Sequence, residues 1–223
     1  QHTFKIKKEK KYITTNIRSP VARGFFKYPI TKNQDDSIVG SFEYIDTQFL
    51  SSSGAGESFP ALNLKSKHVK AADVVLDNVH LVLTPKKDFI SIDKLSFNNL
   101  HLEMNSSGKW FRSNEEVTEI SADIRSDNFG QALSGLGYPK TLRGGTLTAK
   151  LDGRWNGSLE DFRFSATNGN LNFKIVNGQI NELDKGTQAL GQVLGLFSIS
   201  SIPKRLSLDF SDFFSSGLKF DDL

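Results

Sequence analysis

The sequence predicts a mainly β protein: antiparallel strands with two short helices, arranged either as a closed sandwich or barrel or as an elongated, curved sheet open like a groove. Three observations lead there. From Phe59 to Ile175, apolar residues recur at every second position over long runs, the period of half-buried strands. Asn-Gly, a strong hairpin signal, occurs at 156–157, 168–169 and 177–178. Only two stretches, near 128–136 and 187–200, space their apolar residues as a helix does.

In chain order, Phe4–Ile6, Tyr12–Ile17 and Val21–Tyr28 are short extended candidates punctuated by Pro20 and Pro29. Ser37–Leu50 reads as strand, with Phe42 and Tyr44 on one face and Ile45 on the other, and Ser51–Ser58 (SSSGAGES) as a loop or linker. Val74–Leu83 places Val79, Leu81 and Leu83 on one face. After a turn at Thr84–Asp88, Ile90 and Ile92 are followed out of phase by Leu95 and Phe97. Leu100, Leu102 and Met104 alternate, Asn105–Gly108 reads as a turn, and Lys109-Trp110-Phe111 opens another strand. Val117–Arg125 alternates strictly. Asp127–Gly137 breaks the rhythm and predicts a helix of two to three turns, with Asp127 as a cap and Gly137 as its stop. Leu142–Trp155 is the clearest strand: Leu147, Ala149, Leu151, Gly153 and Trp155 oppose Thr146, Thr148, Lys150, Asp152 and Arg154. The three Asn-Gly pairs then predict a meander of short strands, including one over Leu159–Ala166 that carries Phe162 and Phe164. The second helix, Thr187–Ser200, is followed by strands at Leu206–Phe210 and Leu218–Phe220.

Composition narrows the function. With 223 residues and a net charge of +3, the chain has too little basic excess to suggest nucleic acid. Lys5, Lys7, Lys8, Lys10 and Lys11 crowd one end, either as a solvated strand or as a contact for anionic headgroups. There is no cysteine, hence neither a disulfide nor a thiolate metal site. No run approaches the ~20 apolar residues of a membrane-spanning helix. The start at Gln1 and the end at Leu223 in mid-pattern suggest a piece of a longer chain. The 18 Phe, against 4 Tyr and 2 Trp, suit a core or a wall for acyl chains.

No catalytic constellation emerges. His2, His68, His80 and His101 form no metal-ligand spacing. Gly54-x-Gly56 and Gly135-x-Gly137 lack the context of a dinucleotide loop, and neither a nucleophile elbow nor a P-loop is present. The expectation is a non-enzymatic protein without cofactor or metal. A carbohydrate-active sandwich would need aromatic platforms and a carboxylate pair that the spacing does not supply.

About a dozen one-sided strands and two short helices pose a packing problem. In a closed sandwich or barrel the apolar faces cover one another. In an open curved sheet they form an apolar trough. Both readings stand on pattern alone.

Particular residues narrow the choice. Gly169-x-Leu171-x-Phe173, Asn177-Gly178-x-Ile180, Leu190–Ser198 (LGQVLGLFS), Pro203-Lys204-Arg205-Leu206 and Leu208–Phe214 form one series, and Gly217-x-x-Phe220-Asp221 closes it. Upstream stand Gly108-Lys109-Trp110, Leu133–Gly137 and Gly153-Arg154-Trp155-Asn156-Gly157. Together they resemble the C-terminal region of the AsmA-like family, in its YhdP type, over roughly residues 60–223, with a loose match over 1–58. The resemblance implies a long protein anchored in the inner membrane of Gram-negative bacteria and spanning the periplasm, its apolar groove passing phospholipid towards the outer membrane. It implies no catalytic residue.

On that basis Leu147, Leu151, Phe162, Phe164, Leu171 and Phe173 are the expected acyl-chain contacts, and Leu190, Val193, Leu194 and Phe197 of the second helix would cover or gate the groove end. Membrane contact would come through the rest of the chain or its C-terminal end. The alternative is a periplasmic assembly scaffold that docks an outer-membrane protein through its helix and an open sheet edge.

Overall fold

The computed structural model describes residues 2–30, 37–47, 60–71, 74–112, 115–136, 142–162, 166–180 and 219–222. They form a single open, curved sheet of twelve strands in strict chain order. The strands are β1 (Thr3–Lys8), β2 (Tyr12–Arg18), β3 (Ala22–Pro29), β4 (Ser37–Asp46), β5 (Ala61–Ala71) and β6 (Val74–Pro85). Then come β7 (Phe89–Asn99), β8 (Leu102–Phe111), β9 (Val117–Ser126), β10 (Leu142–Asn156), β11 (Asn168–Ile180) and β12 (Lys219–Asp222). No second sheet lies against this one among the described residues, so the closed sandwich is not the architecture.

Every neighbouring pair is antiparallel except β4 and β5, which run parallel from Ser37↔Ala61 to Asp46↔Lys70. The expected wholly antiparallel order therefore breaks once. Parallel neighbours cannot be joined by a tight turn, so the connection 47–60 must return the chain along the strand length.

One helix, α1 (Phe129–Gly135), falls in the first of the two predicted places; the second, Thr187–Ser200, and the strand at Leu206–Phe210 lie outside the described residues. The cap of α1 is Asn128 rather than Asp127: its side-chain oxygen accepts from the Gln131 N–H at 3.2 Å. Phe129, Ala132 and Leu133 pack on Leu102, Leu142, Leu147, Ala149 and Ile175.

Three predicted turns are strand instead. Asn105–Gly108 lies within β8, where Gly108 is required because a Cβ would stand 2.0 Å from the Glu119 carbonyl oxygen of β9. Asn168-Gly169 opens β11, and a Cβ on Gly169 would stand 1.9 Å from the Asp152 carbonyl oxygen. Asn177-Gly178 lies inside β11. Asn177 does take the left-handed conformation (φ 56°) that Asn-Gly favours, but opposite Gly144 and Gly145 (φ 66° and 86°) and within an unshifted strand register, so it does not reverse the chain. The meander thus shrinks to two long strands, β10 and β11, and Leu159–Asp161 is a 3₁₀ turn between them.

The phase change between Ile90/Ile92 and Leu95/Phe97 also finds its cause. Leu83 pairs with Ile92 but Val82 with Lys94, and Ile92 pairs with Gly108 but Leu95 with Ser106. Asp93 is the extra residue, a bulge that returns all four apolar side chains to one face. Its carboxylate accepts from the Ser91 hydroxyl at 2.6 Å and from the Thr84 hydroxyl.

The seat of α1 yields a test. A Cβ on Gly130 would lie 2.3 Å from the Leu142 carbonyl oxygen, whereas one on Gly135 meets nothing within 4 Å. Gly130→Ala should cost about 1–3 kcal/mol in urea unfolding, while Gly135→Ala should be neutral or gain up to about 1 kcal/mol from helix propensity.

Candidate functional site: an apolar face across eleven strands

The pairing registers define the site. Starting at β1, one row reads Ile6, Thr15, Phe26, Gly40, Leu64 and Leu81, each directly opposite the next. It continues through Leu95, Ser106, Ala122, Leu151 and Leu171 on β7 to β11. A second row on the same face, nearer α1, runs Phe97, Met104, Ile124, Ala149 and Phe173. Between these rows, on the opposite face, lie Lys65, His80, Ser96, Asn105, Asp123, Lys150 and Asn172. From β7 to β11 one face is therefore mainly apolar and the other polar; towards β1 the division is looser, with Phe25 and Val39 on the second face and Lys8 and Thr15 on the first.

The two rims of the apolar face are built differently. At the rim formed by the end of β9 and the start of β10, α1 lies over β10 and closes a core around Leu147 and Ile175. At the other rim, the 3₁₀ turn folds back so that Leu159 packs on the Leu83, Ile90 and Ile92 cluster. Hydrogen bonds fix that turn: the Trp155 indole N–H donates to the Ser158 carbonyl at 2.7 Å, and the Thr118 hydroxyl to the Gly157 carbonyl at 2.7 Å. Asp161 accepts from both the N–H and the hydroxyl of Ser158 at 2.8 Å. Towards β1 the same apolar face is uncovered, with Phe4 61% and Ile6 72% exposed.

The expected contact residues separate into three groups. Leu151, Leu171 and Phe173 lie on the apolar face, with Leu171 and Phe173 only half-buried; Leu147 lies on it too, but beneath α1. Phe162 is not on a strand. It follows the 3₁₀ turn, 42% exposed, with its ring edge-on to Trp155 at 5.1 Å. Phe164, Leu190, Val193, Leu194 and Phe197 lie outside the described residues. The face also holds residues that were not singled out: Ile6, Phe26, Leu64, Leu81 and Leu95. Their alternation was visible in the sequence, but only the pairing registers bring it into line with β10 and β11.

The polar face is largely self-neutralised over β8–β10, where Lys150 pairs with Asp123 and Arg154 with Glu119. Among the described residues no group of three or more His, Asp or Glu could hold a metal, and no helix is long and apolar enough to cross a membrane. His80, whose ring nitrogen Nε2 lies 3.1 Å from the Asn63 side-chain oxygen, is held below the ordinary histidine pKa by burial and then by the charges of Lys65 and Lys94.

The YhdP protein family model matches residues 1–223. The chain belongs to the YhdP family. The match takes in residues 1–58, where motif resemblance was loose. Over 121 residues the chain is 24% identical to the intermembrane phospholipid transporter YhdP of Escherichia coli (strain K12), a span of 54% of this chain and 9% of that protein. No solved structure matches. In this YhdP-family sheet, the continuous apolar face is the feature that a functional reading has to explain.

His80 gives a pH prediction. Because its folded pKa is depressed, the unfolded chain takes up the proton first, so stability is lost as pH falls through the ordinary histidine value and onward to the folded one. The urea midpoint should drop as pH falls through about 6.5, and His80→Gln should drop less over the same interval.

Proposed function

We propose that the apolar face solvates the acyl chains of phospholipid on their way between two membranes, as a non-enzymatic transport module working in the periplasm. The observation that carries this reading is the mainly apolar row from Ile6 to Leu171, interrupted at Thr15, Gly40 and Ser106, in a single sheet with no second sheet over it among the described residues. Such a row needs no chemistry. It lowers the cost of exposing each acyl CH₂ to water, about 0.8 kcal/mol per group. Membership of the YhdP family and similarity to the Escherichia coli intermembrane phospholipid transporter support the same reading. Leu151, Leu171 and Phe173 would contact chains at the β10–β11 end, and Phe26, Leu64 and Leu81 along the sheet towards β3. Leu147, under α1, would act as packing. Phe162 and Phe164 would contact chains near the 3₁₀ turn, and the Leu190–Phe197 segment would cover or gate the end of the path.

A charge placed on this face should stop passage and leave the strands paired. In a vesicle-to-vesicle assay, Phe26→Asp and Phe173→Asp are each expected to lower phospholipid transfer roughly tenfold or more, because a carboxylate has no partner among acyl chains. Far-ultraviolet circular dichroism would check that the sheet persists. Transfer equal to wild type in both variants, or purified protein that carries no lipid by native mass spectrometry, would leave the assembly scaffold as the better account.

A further inference from the structure

We propose that the β1–β3 end of the sheet docks on an anionic phospholipid surface, through a patch where exposed apolar side chains stand beside lysines at the strand tips. The charge distribution is the first ground. Residues 1–71 hold twelve Lys and Arg against six Asp and Glu, while residues 72–223 hold sixteen against nineteen. The small net charge of the chain thus conceals one basic end.

The geometry is the second ground. Glu9 N–H donates to the Tyr12 carbonyl at 2.8 Å to close the β1–β2 turn, which displays Lys8, Lys10 and Lys11 to solvent. Lys8 stands opposite Ile13, and Ile13 opposite Tyr28. Ile30 N–H donates to the Lys11 carbonyl at 2.9 Å, which sets Ile30 beside the lysines. Tyr28 is 45% and Ile30 39% exposed. The only carboxylate among residues 2–30, Glu9, pairs with Lys7 at 3.3 Å.

A solvated lysine run needs no apolar neighbours, and an acidic protein or a nucleic acid would engage the lysines alone. A bilayer interface takes both: ammonium groups at the phosphates, with the tyrosine ring and isoleucine at the acyl boundary. Lys10, Lys11 and Ile30 lie beyond the strand ends, so pairing another strand to β1 would leave them accessible. The inference does not depend on what the apolar face carries.

The test is flotation of the 223-residue chain with vesicles of phosphatidylcholine alone or of phosphatidylcholine and phosphatidylglycerol in equal parts. Binding is expected to the anionic vesicles, to weaken with added salt, and to fall about 100-fold when Lys8, Lys10 and Lys11 are all changed to Gln, at roughly fivefold per lysine. Ile30→Ser should weaken binding at constant charge, and Lys150→Gln on β10 should leave it unchanged. No binding to either vesicle, equal binding to both, or binding that ignores the triple substitution would overturn the proposal. So would lysine-dependent capture on polyglutamate without vesicle binding, which would assign the patch to an acidic protein.

Discussion

A single sheet keeps its apolar residues together only if no strand slips. One residue of slip sends a whole strand's side chains to the other face, and this sheet has no second layer among the described residues that could hide the error. The registers from Ile6 to Leu171 hold this condition across eleven strands. Where the sequence itself departs from period two, at Asp93, a bulge absorbs the extra residue and hydrogen bonds from Ser91 and Thr84 hold its carboxylate on the polar side. Between β3 and β4 the register also shifts, at Arg23/Gly24, leaving Glu43 of β4 without a partner across the pair. One-sidedness is therefore maintained actively, residue by residue.

The rims show how such a sheet is finished. Around β10 the apolar face is turned into a conventional core, by α1 on one side and by the 3₁₀ turn on the other. Both closures rest on backbone proximity as much as on apolar area. Gly130 lets the helix settle against the Leu142 carbonyl, and the Trp155 indole ties down the turn. The β1–β3 end has neither device, and there Phe4 and Ile6 stay in solvent.

Much of this was legible in the sequence, because period-two alternation is a direct image of a two-faced strand. β1, β2, β3, β6, β9, β10 and α1 stand close to where their patterns put them. What misled was glycine chemistry. Asn-Gly encodes a positive φ, and at Asn177 it delivers that conformation within a strand; at Gly108 and Gly169 the missing Cβ serves the close approach of a neighbouring carbonyl. Neither use can be told from a turn without knowing which strand lies alongside. Phe162 was misplaced because the alternation over Leu159–Ala166 looked like a strand, but Trp155 holds the chain there, through its indole N–H on the Ser158 carbonyl and its ring against Phe162. The face itself was only half visible, since its membership depends on registers between strands.

The parallel contact between β4 and β5 has a kinetic meaning. On either side of it the described sheet grows between chain neighbours, and among those connections the short hairpins close on local contacts that form quickly. At β4–β5 the two halves can join only after fourteen intervening residues have carried the chain back to the start of the strand. The molecule thus has a built-in seam: one line of parallel hydrogen bonds between two antiparallel runs of strands, whose closure spans a longer stretch of chain than a hairpin does.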